Sequence, residues 1–517
     1  MELNFNKASH DYFEPLRFTP FSCETMRENI VPDSCADIAR IVDTTGLVCL
    51  TNRELTGDGR FSASGTVEVS VLYIPEMAAS ASREDGPQAL RFQIPFQCYG
   101  EGQPDCEFLD IRGELHSIDT RVLNPRKVLT RANLILYPMG CRHASLSVCT
   151  GMDGEEEAVQ LLREKRETRV VAGVREKEFT FTEELPLSPG RGGAEEILST
   201  RVDVRGTDCK LIGNKLVVKG LISPSVLYRE SGGRLTLLQQ DLPFSQILEG
   251  NGLEEDCECE AAYQVLNVEC RVGGESGPDD AYVMTLTLLL RARVTVWRGE
   301  EIAFIGDLYS TAAPVSCEMS ELELREDWQK NTRRQNVREL LETAVAVKSV
   351  IDTETGCGGV QISGGEMKIS AWARCLYIDE NDMLGSVRKE FTVSAPAEMP
   401  DGSPASEESC QAEAACKGDV ITNIMPEGIE LRLPLDCTLT TYNCRRYVCV
   451  SGGETLEEEQ DKAAKPSLIL RKLGPEESLW SVAKQYRTTC KGIMEVNGLE
   501  EGIPAPTDRL LLIPKAR

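Results

Sequence analysis

The sequence is poor in the residues and motifs that usually carry catalysis or hold metal ions. It contains only three histidines, His10, His116 and His143, and none has a second histidine at metal-ligand spacing. No Cys-x-x-Cys pair, phosphate-binding loop or Gly-x-Ser-x-Gly elbow occurs in the chain. These patterns mark zinc sites, nucleotide sites and nucleophilic serines. The sequence therefore predicts no metal, no cofactor and no enzymatic activity.

Positive charge and long apolar runs are also scarce. The chain carries 56 Lys and Arg residues against 83 Asp and Glu residues, which gives a net charge of -27. Nucleic acids and anionic membrane surfaces are bound through basic side chains. No stretch reaches the roughly 20 apolar residues of a membrane-spanning helix. We therefore expect neither nucleic-acid binding nor membrane insertion.

Cysteine, in contrast, is abundant, with 20 residues. The first residues of the sequence are charged and lack an apolar core of signal-peptide length. We therefore expect a cytoplasmic protein whose cysteines are reduced thiols, packed as small hydrophobic side chains. Cys257 and Cys259 alternate along one expected strand, but two thiols alone do not make a zinc site.

Two sequence markers recur along the chain with the same period. An apolar strand ends on a Leu-Tyr pair three times, at Leu72-Tyr73, Leu227-Tyr228 and Leu376-Tyr377. A cysteine that follows an acidic or hydroxyl residue recurs in the same phase, at Cys106, Cys257 and Cys410. A period of roughly 150 residues is far longer than a solenoid repeat, so each copy should be a whole domain with its own core.

The expected fold is mainly β, with tandem β-rich repeats of sandwich or open-barrel type that contain short helices. The predicted organisation is a first repeat over 1–152, a second over 165–315, a divergent third over 316–451, an acidic linker over 452–466 and a small α+β module over 467–515. The short helices are expected at 36–42, 153–163, 194–199 and 327–344.

The C-terminal module has the order strand, helix, helix, strand. Ser478 stands where a helix N-cap is expected, and Asn497-Gly498 is a suitable left-handed end for the second helix. The module resembles the LysM family in Ser478 to Ala483, Tyr486, Thr488-Thr489, Ile493, Asn497-Gly498-Leu499 and Leu512-Ile513-Pro514. This resemblance implies a βααβ fold and a shallow groove that binds N-acetylglucosamine glycans.

The two loops that would form this groove supply the candidate binding residues. We expect the ligand or partner to contact Pro475, Glu476, Glu477, Ser478, Trp480, Asn497, Gly498 and Leu499. Both loops differ from the family pattern, because Glu476 stands where a glycine is usual and a second glycine is replaced near Thr507-Asp508. Glycine permits close approach of a ligand to the backbone. With both glycines replaced, the resemblance supports the LysM fold more strongly than it supports glycan binding.

The repeats resemble the SPOCS domain of clostridial spore-coat proteins. The first copy matches at Val31-Pro32-Asp33, Ala36-Asp37-Ile38, Gly65, Val71-Leu72-Tyr73 and 123–128; the second matches at 214–220 and Val226-Leu227-Tyr228; the third keeps Cys375-Leu376-Tyr377. SPOCS repeats followed by one LysM module are the layout of SipL-like spore-coat morphogenetic proteins.

The resemblance implies a non-enzymatic scaffold in the mother-cell cytoplasm, at the forespore surface. Its LysM module would dock the ATPase of the coat basement layer, and its repeats would contact other coat proteins. The alternative is a protein of the cell wall that binds N-acetylglucosamine glycans of peptidoglycan through LysM. That alternative requires a secretion route and an open groove.

Overall fold

The computed structural model describes residues 3–16, 18–56, 59–76, 86–152, 158–187, 193–230, 232–254, 256–275, 282–456, 468–474, 477–500 and 510–514. Their dominant element is the antiparallel β-strand, as the mainly-β prediction required. Three units of similar strand order precede a small module that contains the two helices of the described residues.

The first unit consists of β1 Phe5–Leu16, β2 Phe21–Ile30, β3 Ile38–Leu55, β4 Arg60–Pro75, β5 Gln88–Glu101, β6 Phe108–Asn124 and β7 Lys127–Met152. The second consists of β8 Val159–Pro186, β9 Ala194–Ile212, β10 Lys215–Glu230, β11 Leu235–Gln239, β12 Leu242–Glu249, β13 Glu258–Glu275 and β14 Tyr282–Ser310. The third consists of β15 Val315–Glu342, β16 Val347–Ser363, β17 Glu366–Asp379, β18 Leu384–Pro396, β19 Cys410–Cys416, β20 Ile421–Met425 and β21 Gly428–Thr455.

Each unit contributes strands to an inner and an outer sheet, and the outer strands of the first two units form one seven-stranded sheet in which β1 pairs with β8. The inner sheet has one central strand, β4, β10 or β17, with neighbours on both sides. The outer sheet pairs the first long strand of the unit with its last, as β8 pairs with β14 and β15 pairs with β21. In the first unit β1 and β2 share the edge of β7, and Pro20 lies between them. Proline cannot donate a hydrogen bond to a β-ladder, which suits an interruption there.

Strand periodicity produces the cores between the sheets. On β4 the side chains of Val67, Val69 and Val71 are buried, and those between them are half-buried. Neighbouring side chains of a strand point to opposite faces, so a strand with one apolar face packs that face against the other sheet. The strand β10 has the same alternation, and it ends on the same Leu-Tyr pair.

The Leu-Tyr markers hold the units together. Leu72, Leu227 and Leu376 lie in one buried cluster, to which all three units contribute. The tyrosine that follows each leucine packs into the core of its own unit. Tyr73, for example, donates its hydroxyl to Gln88 Oε1 at 2.8 Å. Successive side chains on opposite faces thus join each inner sheet to its own core and to the other two units.

A buried charge cluster lies between the same three inner sheets. Arg374 of the third unit contacts Asp43 of the first unit, Asp352 at 2.5 Å and Glu354 at 3.1 Å. Arg201 of the second unit donates to the other oxygen of Asp352 at 2.7 Å. Burial alone would raise the pKa of Asp352, but the two guanidinium groups outweigh it and hold that pKa at about 2.

The Asn-Pro-Arg segment of the first repeat ties the β6–β7 turn to the segment before β3. Asn124 Oδ1 accepts from the backbone N–H of Arg126 at 2.9 Å. The Arg126 guanidinium donates to the carbonyls of Val31 and Cys35 at 3.0 and 2.8 Å and to Asp37 Oδ1 at 2.9 Å. The Arg126 side chain therefore connects residues 31–37 with residues 124–126, two separated parts of the pattern that resembles the SPOCS domain.

Two expectations from the sequence are wrong. The segments expected to be helical at 36–42, 194–199 and 327–344 belong mainly to the strands β3, β9 and β15. Of the segment 153–163, residues 153–157 lie outside the described residues, and residues 159–163 belong to β8. Pairing with long neighbouring strands outweighs local helix preference there. The cysteines are also not all reduced, because Cys23 on β2 and Cys98 on β5 form a disulfide bond.

Candidate functional site

The C-terminal module is a two-stranded sheet covered on one face by two short helices. It contains β22 Leu468–Lys472, α1 Leu479–Tyr486, α2 Cys490–Asn497 and β23 Leu510–Pro514. The strands pair antiparallel, and the order strand, helix, helix, strand agrees with the sequence prediction. The inward side chains form a small core of Leu473, Val482, Ala483, Ile493, Leu511 and Ile513.

Side-chain caps set the ends of both helices. Ser478 Oγ accepts from the backbone N–H of Ser481 at 3.1 Å, and Ser481 Oγ accepts from the backbone N–H of Ser478 at 3.1 Å. Thr489 Oγ1 accepts from Gly492 N–H at 3.0 Å and so begins α2. Gly498 ends α2 with φ +61°, a left-handed conformation that glycine adopts without strain. Ser478 and Gly498 thus have structural roles in the module.

The loop between β22 and α1 is closed by an acidic side chain. Glu477 Oε2 accepts from the backbone N–H of Gly474 at 2.9 Å, and Glu477 Oε1 forms an ion pair with Arg471. One backbone donor of this expected groove loop is therefore already occupied within the chain. Pro475 and Glu476, the other expected contact residues of the loop, lie outside the described residues.

The loop after α2 is fixed by Asn497. Its Nδ2 donates to the carbonyls of Ile493 and Leu512 at 2.7 Å, and its Oδ1 accepts from Leu512 N–H at 2.8 Å. Leu499 donates its N–H to the Met494 carbonyl at 2.9 Å, and its side chain packs against the module core. These contacts clip the end of α2 to β23, so both residues support the fold.

Trp480 connects the module to the second unit. Its indole Nε1–H donates to Asp307 Oδ2 at 2.8 Å, and its ring meets the Tyr309 ring edge-on at a centroid distance of 4.9 Å. Lys484, one turn further along α1, reaches Asp307 Oδ1 at 2.6 Å. The face of α1 that carries Trp480 and Lys484 is thus covered by the end of β14.

Tyr309 completes the core of the module from outside it. Its buried ring packs with the module residues Val482, Ala483 and Ile493, and its hydroxyl donates to the Thr488 carbonyl at 2.7 Å. Burial raises the pKa of Tyr309, so the phenol stays protonated as this hydrogen bond requires. Sequence reasoning missed Asp307 and Tyr309, because they lie far from the module in the chain and no motif marks them.

The outer face of the two-stranded sheet is apolar and open. Leu468, Leu470 and Leu510 are 52%, 61% and 60% exposed, respectively. Leu468 and Leu470 share a face, and Leu510 stands opposite Lys472 on that face in the ladder. We call these three residues the leucine face. A sheet covered on one side should alternate apolar and polar residues, so leucine at the outer positions is a signal that the sequence offered.

The three histidines lie on three different strands, His10 on β1, His116 on β6 and His143 on β7. His10 Nδ1 on β1 lies 2.8 Å from Glu300 Oε1 on β14, and both side chains are mostly buried. Within the described ranges no group of three or more His, Cys, Asp or Glu side chains is arranged to hold a metal ion. Among the same residues, no helix has the length and apolar character needed to cross a membrane.

The geometry thus defines a protein of β-rich units with a βααβ module at its C-terminal end, and comparison with known families agrees. Residues 194–272, which span β9 to most of β13, match the family described as SipL, SPOCS domain. Residues 473–510 match the LysM domain family. The chain thus has the domains of a SipL-like protein with a C-terminal LysM module. No curated protein and no solved structure matches it.

The two matched families limit the kind of function. SPOCS and LysM domains are binding or scaffold domains without catalytic groups. Together they support a scaffold related to sporulation, with a module of a type that can bind peptidoglycan.

Proposed function

We propose that the chain is a non-enzymatic scaffold of the spore envelope whose LysM module docks a protein of the coat basement layer. The three β units form the body of the scaffold and contact other coat proteins. The partner of the module is the coat-basement ATPase at the forespore surface, which places the chain in the mother-cell cytoplasm. The leucine face is the observation that carries this proposal.

The leucine face suits a protein partner. Three leucines more than half exposed on one small sheet form an apolar surface, and surfaces of this kind commonly mark contacts between proteins. The opposite side of the module is covered by β14, because α1 packs on Asp307 and Tyr309. Docking on β14 therefore leaves the leucine face as the outward side of the module.

Glycan binding has less support from the same module. The Gly474 N–H, the Asn497 amide and the Trp480 indole all make hydrogen bonds inside the chain. A sugar that used these groups would have to break contacts that hold the loops and the docked helix. Contact between the partner and the groove loops stays a proposal in addition to the leucine face, except at Trp480, whose side of α1 is covered by β14.

The test uses the full chain, because Tyr309 belongs to the core of the module. Leu470→Lys and Leu510→Lys place a charge on the leucine face without changing a buried residue. The matched control is Val448→Lys on β21, since Val448 is 57% exposed and lies on the third unit. Binding to the purified coat-basement ATPase is measured by calorimetry and by pull-down.

Each leucine variant should weaken ATPase binding by about tenfold or more. Burial of a leucine contributes about 1.5–3 kcal/mol, and every 1.4 kcal/mol or so is a tenfold change in Kd. The Val448→Lys control should bind as the unaltered chain does. Equal binding by all four proteins would show that the leucine face is not the docking surface.

A further inference from the structure

Each β unit has one cysteine pair that bridges its two sheets. In the first unit the pair is already closed, because Cys23 on β2 of the outer layer is bonded to Cys98 on β5 of the inner sheet. The two cysteines are 75 residues apart in sequence and lie on strands of different sheets. The bond therefore joins the two layers directly. Each of the other two units has a pair of open thiols on a different combination of strands.

In the second unit the pair is Cys209 on β9 and Cys259 on β13. The two thiols lie near each other between the inner and the outer sheet, because each thiol changes the pKa of the other. They line an open cavity of about 590 Å³ whose rim includes Arg169 and Lys330. Both thiols are only partly buried, so a small molecule that enters the cavity reaches the pair.

In the third unit the pair is Cys357 on β16 and Cys416 on β19. Cys357 Sγ lies 3.1 Å from the carbonyl oxygen of Ala414, two residues before Cys416 on the same strand. The two thiols also lie close enough for each to change the pKa of the other, and both are partly buried at the edge of the core of the third unit. The inner strand β16 has the same place in its unit that β9 has in the second.

We propose that Cys209 with Cys259 and Cys357 with Cys416 are disulfide-forming sites that a low-molecular-weight disulfide oxidises. Closure of both pairs gives each of the three units one covalent link between its inner and outer sheets. Each unit is thereby cross-linked by one disulfide bond, and the order of the strands does not change. These sites are independent of the partner that the LysM module binds.

The reaction in the third unit proceeds by two thiol–disulfide exchanges. The Cys357 thiolate attacks one sulfur of the oxidant, the oxidant's S–S bond breaks, and one small thiolate leaves. The Cys416 thiol then loses its proton and attacks Cys357 Sγ, which displaces the second small thiolate. Two protein thiols are oxidised to one disulfide, and the oxidant is reduced to two thiols that take up the two protons.

The two pairs should close at different rates. The neighbouring Cys416 thiol lowers the pKa of the Cys357 thiol, whereas burial raises the pKa of Cys209 to about 12. The thiolate is the attacking species, so a larger thiolate fraction favours the third unit. At neutral pH the Cys357 pair should therefore oxidise before the Cys209 pair.

The test treats the purified full chain with excess oxidised glutathione and alkylates the remaining thiols at timed intervals. Peptide mass mapping should find Cys357 linked to Cys416 first and Cys209 linked to Cys259 later, with four of the 18 free thiols consumed. Cys259→Ser and Cys416→Ser should each remove one link and leave the other. Cys444→Ser, which alters an exposed cysteine outside both pairs, is the matched control and should change neither link.

Three outcomes would overturn the proposal. They are stable glutathione adducts on the four cysteines, links that join them instead to Cys257 or Cys437, and retention of all four thiols under excess oxidant. Circular dichroism of each variant before treatment separates these outcomes from misfolding. A variant that loses its β signal is replaced by the corresponding Cys→Ala change.

Discussion

Arg374 should be the side chain whose loss most weakens the contact between the three units. Its guanidinium is 4% exposed and contacts Asp43 of the first unit and Asp352 and Glu354 of the third. Replacement by methionine keeps much of the volume and removes the charge, which leaves buried carboxylates with Arg201 as their remaining cation. Removing one partner of a buried ion pair typically costs about 3–5 kcal/mol, because the other charge stays buried without compensation.

The assay is urea unfolding of Arg374→Met, followed by circular dichroism. The matched control is Arg334→Met on the same unit, since Arg334 pairs with Asp436 on the surface and is 59% exposed. An exposed ion pair contributes only about 0–1 kcal/mol, so the control should unfold near the native midpoint. Adding Asp43→Asn to Arg374→Met should recover part of the loss. Equal midpoints for Arg374→Met and Arg334→Met would refute the reasoning.

Two further predictions concern pH and the docked helix. Because the pKa of Asp352 is lowered to about 2 from its usual 3.8, its ionised form stabilises the fold above pH 4 or so, by about 2 kcal/mol, and this term disappears as the pH falls towards 2. The difference in unfolding free energy between the native chain and Asp352→Asn should therefore become smaller as the pH falls from about 4 towards 2. A difference that stays constant over this pH range would contradict the stabilising role of ionised Asp352. Trp480→Phe removes the indole donor to Asp307 and should weaken the docking of the module on β14 by about 1.5–3 kcal/mol. Amide exchange in α1 should accelerate in that variant and stay unchanged in the control Trp372→Phe.

The sequence was informative where local pattern and packing agree. The Leu-Tyr pairs repeated because one residue of each pair enters the shared cluster and the other enters the core of its own unit. Ser478, Thr489 and Gly498 cap the module helices, and such caps depend on neighbouring residues alone. The LysM module and the mainly-β class were therefore predictable from the sequence.

The sequence misled where long-range pairing decides the conformation. The segment 327–344 is rich in charged and helix-favouring residues, yet most of it forms β15 and pairs with β21 from Val315↔Thr455 to Glu342↔Gly428. Asp327 has a positive φ of 55° at the register shift of this ladder, a local conformation that no helix pattern would suggest. The conformation of this strand is set by its pairing with β21, from which it is separated by 86 to 140 residues of sequence.

Contacts between sheets of one unit, and between the module and the second unit, were also beyond local reasoning. The disulfide between Cys23 and Cys98 requires that β2 lie over β5, which spacing alone does not reveal. The Trp480 indole meets Asp307 because the folded module places α1 against β14, far from Trp480 in sequence. Trp480 was predicted as a ligand contact, and the structure gives it a partner inside the chain.

The most direct test of the scaffold account is a calorimetric comparison of two ligands with the full chain. One titration uses the purified coat-basement ATPase, and the other uses chitin oligomers, with intact peptidoglycan in a parallel pull-down. The account predicts saturable binding of the ATPase that Leu470→Lys weakens, and no heat from the oligomers. Saturable binding of chitin oligomers together with no binding of the ATPase would contradict it.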